Sequence, residues 1–329
     1  MNDPKLSYPG LDDIVAKTVG YSHNFFLQGE LKNKKLKIDE CLTVLDDKTD
    51  TRAVSYLKKF VSEARKESDT RGTFFSFVHD PKKSNRPYDA MDRIRVFATA
   101  VRIFTGMRAD ALYDFSIKDI KKKIYFLPFD LTGGRYDPYG RRNTSVISSK
   151  ADFNTIKKIH ANLIKAKIEK TLHYSKLYNA TEFFRHGYEE HWTLLKTTLF
   201  FTALESLFSD SSKSEVTEKI AIRTAYLLYP KDSAKRKEVY TFIKRGYEIR
   251  SLFVHGSNTE AGVNKIMKKF EKDKGSDNYS FHLDFIEDLH QLVCDCLKEC
   301  YLNNDFFLFF TKEKYKELEE QSFYRDLVL

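Results

Sequence analysis

From Trp192 to Tyr301 the apolar residues recur at three- and four-residue steps, and that spacing predicts helices throughout the second half. Trp192–Phe208 is apolar nearly all round, which fits a central helix. Ser212 and Glu215 have capping-box spacing ahead of a helix in which Val216, Ile220, Arg223 and Leu227 share a face. Pro230 breaks that helix and Asp232 can cap the next. There Tyr240, Ile243, Tyr247, Arg250 and Val254 form one stripe, and Lys244, Glu248, Ser251 and His255 a polar stripe beside it. Gly256 follows where a left-handed closing residue is expected, which puts His255 in the last turn. Phe281–Tyr301 is a fourth helix, with Phe285, Leu289, Leu292, Cys296 and Leu297 inward, and Asn304–Leu329 predicts one or two outer helices. Seven Pro and 13 Gly among 329 residues suit a largely helical chain.

Three of these helices each place one charge in the core-facing stripe: Glu205, Arg223 and Arg250. Charges inside apolar stripes persist when paired, so Glu205 is expected to pair with Arg223 or Arg250. Arg250 and His255 are five residues apart. On an ideal helix that is about 140° of rotation, so the two side chains do not stack. A shared reaction centre would need an unwound helix end or a second copy of the chain.

The first half reads differently. A short helix is predicted near Leu11–Val19 and short strands at Leu36–Ile38 and Cys41–Leu45. Thr51–Glu67 has helical spacing, Thr73–Val78 is strand-like, and Tyr88–Phe104 is a helix closed by Gly106. Lys123–Leu131 reads as a strand broken by Pro128, and Thr132–Thr144 as a loop. Asp152–Lys176 reads as a long basic helix with Phe153, Ile156, Ile159, Leu163 and Ile168 inward. The fold class is therefore mainly α: an N-terminal mixed α+β domain, 1–185, and a C-terminal antiparallel helical bundle, 186–329.

Charge divides the same way. Residues 1–185 hold 35 Lys and Arg against 23 Asp and Glu, a net +12, while residues 186–329 hold 21 against 24. A basic half suits nucleic acid, and the candidates are Arg135, Arg141 and Arg142 in the loop and Lys157 and Lys158 on the basic helix, with Lys244 and Arg245 on the helix of Arg250. A solvated surface is the other reading of the same lysines and arginines. The loop lacks the closing Gly-Lys-Ser/Thr of a Walker phosphate loop.

Cys41, Cys294, Cys296 and Cys300 have no second ligand pair nearby, so reduced thiols are expected rather than a metal site. The N-terminus shows no basic start followed by an apolar run, and no apolar run reaches the roughly 18 residues of a membrane span. A cytoplasmic protein without membrane contact is the expectation.

The string Tyr247-x-x-Arg250-Ser251-x-x-x-His255-Gly256, with Ala203-Leu204-Glu205 and Ile222-Arg223-Thr224-Ala225 before it, resembles the Apea-like branch of the HEPN superfamily. The resemblance covers about Trp192–Tyr301. It implies a four-helix bundle that dimerises and brings two Arg–His pairs into one cleft. It also implies metal-independent endoribonuclease chemistry on an RNA substrate with no cofactor, in antiviral defence or as a toxin. Arg250, His255 and Ser251 would be the catalytic positions, supported by Glu205, Arg223, Tyr247 and Glu248. Ser251 stands where other HEPN branches often carry asparagine, aspartate or histidine. The residue types suit the chemistry: a histidine moves protons near neutrality and an arginine stays charged beside phosphate. Two other readings stay open. One is a non-catalytic dimerisation or sensor module binding nucleic acid or a partner protein. The other is one half of a pair with a neighbouring defence or antitoxin protein.

Overall fold

The structure is a computed structural model that describes residues 17–22, 25–27, 35–38, 42–46, 73–79, 89–106, 113–120, 123–129, 145–147, 149–168, 176–209, 216–256, 259–275 and 279–311. The chain divides into two compact units, with residues 161–329 and 103–106 in the second. The boundary expected near residue 185 falls inside a helix, Lys176–Glu189, of that second unit.

In the first unit, six strands form one antiparallel sheet. They are β1 (Lys17–Ser22), β3 (Lys35–Lys37), β4 (Leu42–Asp46), β5 (Thr73–His79), β6 (Tyr113–Ile120) and β7 (Lys123–Phe129), in the order β3-β4-β5-β1-β6-β7. Two further strands, β2 (Phe25–Leu27) and β8 (Ser145–Ile147), pair in parallel. The strands expected at 36–38, 41–45 and 73–78 are present to within a residue or two. The helix expected at 11–19 is not borne out over its described part, because Lys17–Val19 belong to β1. Pairing with β5 on one side and β6 on the other outweighs a weak local pattern. Pro128 does not break β7. It sits opposite Phe115 at the edge of the sheet, where a missing N–H costs no ladder bond.

Helix α1 is Asp89–Thr105, as its spacing predicts, and Gly106 closes it at φ +61°. Helix α2 runs Lys150–Ile168. Ser149 Oγ accepts from Asp152 N at 3.1 Å and Asp152 Oδ2 accepts from Ser149 N at 3.3 Å, a reciprocal cap that fixes where it starts. Phe153, Ile156, Ile159 and Leu163 are buried as expected. The basic helix does not reach Lys176 as one described element, since Lys176 opens the next helix. The segments 51–67 and 132–144 lie outside the described residues.

Among the described residues, every element after β8 is helical. They are α3 (Lys176–Glu189), α4 (Thr193–Phe208), α5 (Val216–Leu228), α6 (Ser233–Val254), α7 (Thr259–Lys274), a π-helical turn at Phe281–Phe285, α8 (Ile286–Leu302) and α9 (Asn304–Thr311). Helix α4 is the centre and touches α3, α5, α6 and α8. Its all-round apolar sequence follows from that position, with Phe200, Phe201, Ala203, Leu204, Leu207 and Phe208 buried. Helices α3 and α7 were not delimited individually in the sequence. The inward residues of α8 are as expected: Phe285 just before it, then Leu289, Leu292, Cys296 and Leu297, are buried.

Candidate functional site

Helix α6 carries the candidate residues, and its ends are set by its sequence. Asp232 accepts from Lys235 N at 3.0 Å and caps the start, just after Pro230 in the turn. At the other end His255 is the closing residue, and Gly256 takes φ +64°, a left-handed backbone that glycine adopts without strain. Midway, Gly246 lets α6 approach its neighbours closely. A Cβ there would lie 2.6 Å from Phe201 and 3.0 Å from Phe285, both fully buried.

One turn beyond that close approach sits a network of three side chains. Arg250 Nη2 donates to Glu205 Oε2 at 3.0 Å, and Nη1 donates to the Tyr247 hydroxyl at 3.1 Å. The Tyr247 hydroxyl in turn donates to Glu205 Oε1. The Arg250 guanidinium also lies over the Tyr247 ring at 4.9 Å, and Phe201 meets that ring edge-on at 5.7 Å. Burial, and then the hydrogen bond to Glu205, push the Tyr247 phenol up to about 12, so it is held as a neutral donor. Arg250 and Glu205 keep 20% and 19% of their side chains exposed, so the pair is half-buried rather than sealed.

Glu205 therefore has the arginine partner expected of it, and that partner is Arg250. Arg223 is buried and donates to the carbonyl of Phe208, the last residue of α4. It holds a helix end, where carbonyls lack intrahelical partners.

The remaining candidates spread out. Glu248 pairs with Lys269 on α7 at 3.6 Å. Lys244 donates to Glu218 at 2.7 Å and Arg245 pairs with Asp273, so both candidate phosphate-binding residues on α6 already face carboxylates. The bond to Lys244, then that from Tyr240, lowers the Glu218 carboxyl below its usual range. Ser251 lies one residue after Arg250 and is partly exposed. His255 is exposed, and among the described residues no hydrogen bond or ion pair joins it to Arg250. Val254, expected inward, is 51% exposed. Lys157 and Lys158 lie on α2 in the first unit, and Arg135, Arg141 and Arg142 fall outside the described residues.

Beside His255 the structure adds residues that spacing did not single out. Trp192 meets Phe253 edge-on, with ring centroids 4.8 Å apart. Its neighbour Thr193 pairs with Nδ1 of His282, an exposed histidine in the π-helical turn, at 2.9 Å.

No protein-family model matches the chain, and no curated protein or solved structure matches it.

Among the described residues no group of three His, Cys, Asp or Glu is placed to hold a metal ion. Cys294, Cys296 and Cys300 are buried and in no disulfide, and burial pushes the Cys296 and Cys300 thiols well up, which favours their protonated form. Among the described residues no helix is long and apolar enough to cross a membrane.

Proposed function

We propose that the second unit is a metal-independent endoribonuclease of HEPN type, with a site completed by two copies of the chain. The observation that carries this reading is the end of α6. An exposed histidine closes the same helix whose Arg250 is fixed, five residues earlier, by Glu205 and Tyr247. A two-fold contact along that end gathers two imidazoles and two guanidiniums around one phosphate.

His255 of one copy takes the proton of the ribose 2′-hydroxyl as its oxygen bonds to phosphorus. His255 of the other copy gives a proton to the 5′-oxygen as its bond to phosphorus breaks. The products are a 2′,3′-cyclic phosphate and a 5′-hydroxyl. Arg250 supplies fixed positive charge beside the phosphorane, where preorganised charge acts most strongly. Tyr247 and Glu205 hold that charge in place. Such a protein suits antiviral defence or a toxin role, and the basic first half supplies a further grip on RNA.

One observation favours a non-catalytic dimerisation or sensor module instead. Both terminal nitrogens of Arg250 are already hydrogen-bonded within one protomer. Labelled RNA incubated in EDTA with the wild-type chain and with His255→Ala separates the two readings. Cleavage to cyclic-phosphate ends that His255→Ala abolishes supports the ribonuclease. Absence of cleavage by either protein supports the module.

A further inference from the structure

We infer that Trp192 is a stacking platform for an unpaired nucleobase, so that the site takes single-stranded RNA; this rests on the ribonuclease reading above. Trp192 is the chain's one tryptophan. It is 57% exposed, in a bundle that buries Phe200, Phe201, Phe208, Phe285 and Tyr301. It stands at the N-cap of α4 yet gives that helix no side-chain cap bond. A serine or aspartate would cap better, and burial does not account for the ring either.

The residue is nevertheless held in position. Phe253 meets the ring at 88° and 4.8 Å, and the Trp192 backbone N–H donates to Glu190 Oε1 at 2.8 Å. Phe253 is three residues after Arg250 and two before His255, so the indole leans on the turn that carries both. Thr193 ties His282 to the same corner. An exposed indole, with one exposed imidazole tied to its neighbour Thr193 and another two residues beyond Phe253, suits a nucleotide: a flat face for the base, and donors for the phosphate oxygens. Bases inside a duplex offer no free face, so an unpaired strand is the substrate class.

A base fits the indole face itself better than a second copy of the chain does. Among the described residues the exposed large hydrophobic side chains are Trp192 and Val254. Two side chains match the area of a base and fall far short of the roughly 800 Å² per partner of a stable interface, so the two-fold contact proposed above draws on surface beyond the indole face.

The test uses the full chain and a short 2′-O-methyl oligonucleotide, which binds but lacks the attacking hydroxyl. As the one tryptophan, Trp192 reports stacking directly through its fluorescence. Saturable quenching by the single strand, and none by the same strand in a duplex, is expected. By anisotropy of the labelled strand, Trp192→Leu should weaken binding about 5- to 150-fold while Trp192→Phe keeps most of it. Unchanged fluorescence on binding, or wild-type affinity in Trp192→Leu, overturns the inference. So does a Trp192→Leu chain whose only change is loss of dimer, which assigns the ring to a protein contact. Quenching without cleavage of ordinary RNA leaves the platform standing and removes the ribonuclease reading. Cleavage that needs His255, with no quenching, does the reverse.

Discussion

Arg250 reaches Glu205 across the bundle, with Nη2 and Oε2 3.0 Å apart, and so ties the helix that ends in His255 to the central helix. The pair does two things at once. It fixes the orientation of the last two turns of α6, and it holds the guanidinium near the surface, with 20% of the arginine side chain exposed.

Glu205→Gln should lower stability by about 2 kcal/mol, the scale of hydrogen bonds to charged groups. The roughly 3–5 kcal/mol of a fully buried pair is the upper bound, because both side chains retain contact with water. Urea unfolding measures it. An unchanged midpoint would show that the pair contributes nothing to the fold.

Gly246→Ala should destabilise by about 1–3 kcal/mol through overpacking. The added methyl meets Phe201 and Phe285, both fully buried. If the variant melts with the wild type, α6 does not lie as close to α4 as the structure has it.

The Tyr247 phenol gives a pH signature. Its folded value is raised to about 12, above the ordinary value near 10. A raised value means that its stabilisation is whole below about pH 10 and is lost as pH climbs toward 12. Tyr247→Phe should flatten that loss. Equal alkaline loss in both proteins would show that another group is responsible.

Much of this site was legible because helical period alone aligns Glu205, Tyr247 and Arg250 on inward faces, and because Asp232, Pro230 and Gly256 punctuate α6. What spacing could not give was the choice between two arginines. Arg223 goes to the Phe208 carbonyl, a backbone group that no side-chain pattern marks. Helix α7 was missed although Val263, Ile266, Met267 and Phe270 sit at helical steps, because lysines and acids surround that narrow stripe. The corner at Trp192 was missed because an indole at the start of an apolar helix reads as core. In the first half, β1 was hidden because its partners on both sides, β5 and β6, lie far along the chain.

RNA affinity should fall steeply with salt, since residues 1–185 carry a net +12 while Lys244 and Arg245 are already matched to Glu218 and Asp273. Filter binding from about 50 to about 300 mM salt reads the slope. Charge reversal of Lys157 and Lys158 should shallow it by about two, one unit for each phosphate no longer neutralised. A slope near zero would remove the first half from the interface.

The need for two copies makes the last prediction. If one histidine accepts the proton and the other donates it, a pair holding a single intact His255 lacks one of the two roles. Inactive His255→Ala chains should therefore poison the wild type when subunits exchange. With a ninefold excess of the variant and random pairing, about a tenth of wild-type chains meet another wild type, so activity per wild-type chain should fall about tenfold. His255 is exposed, so the substitution leaves the packing of α6 intact and the mixed pairs still form. A second, dimer-deficient inactive variant in the same excess should have no effect. Activity per wild-type chain that stays constant in the His255→Ala mixture would mean that each protomer cleaves alone, with an acid and a base drawn from one chain. In that event His282 is the histidine to substitute next, because Thr193 fixes it beside Trp192 at the corner where α6 ends.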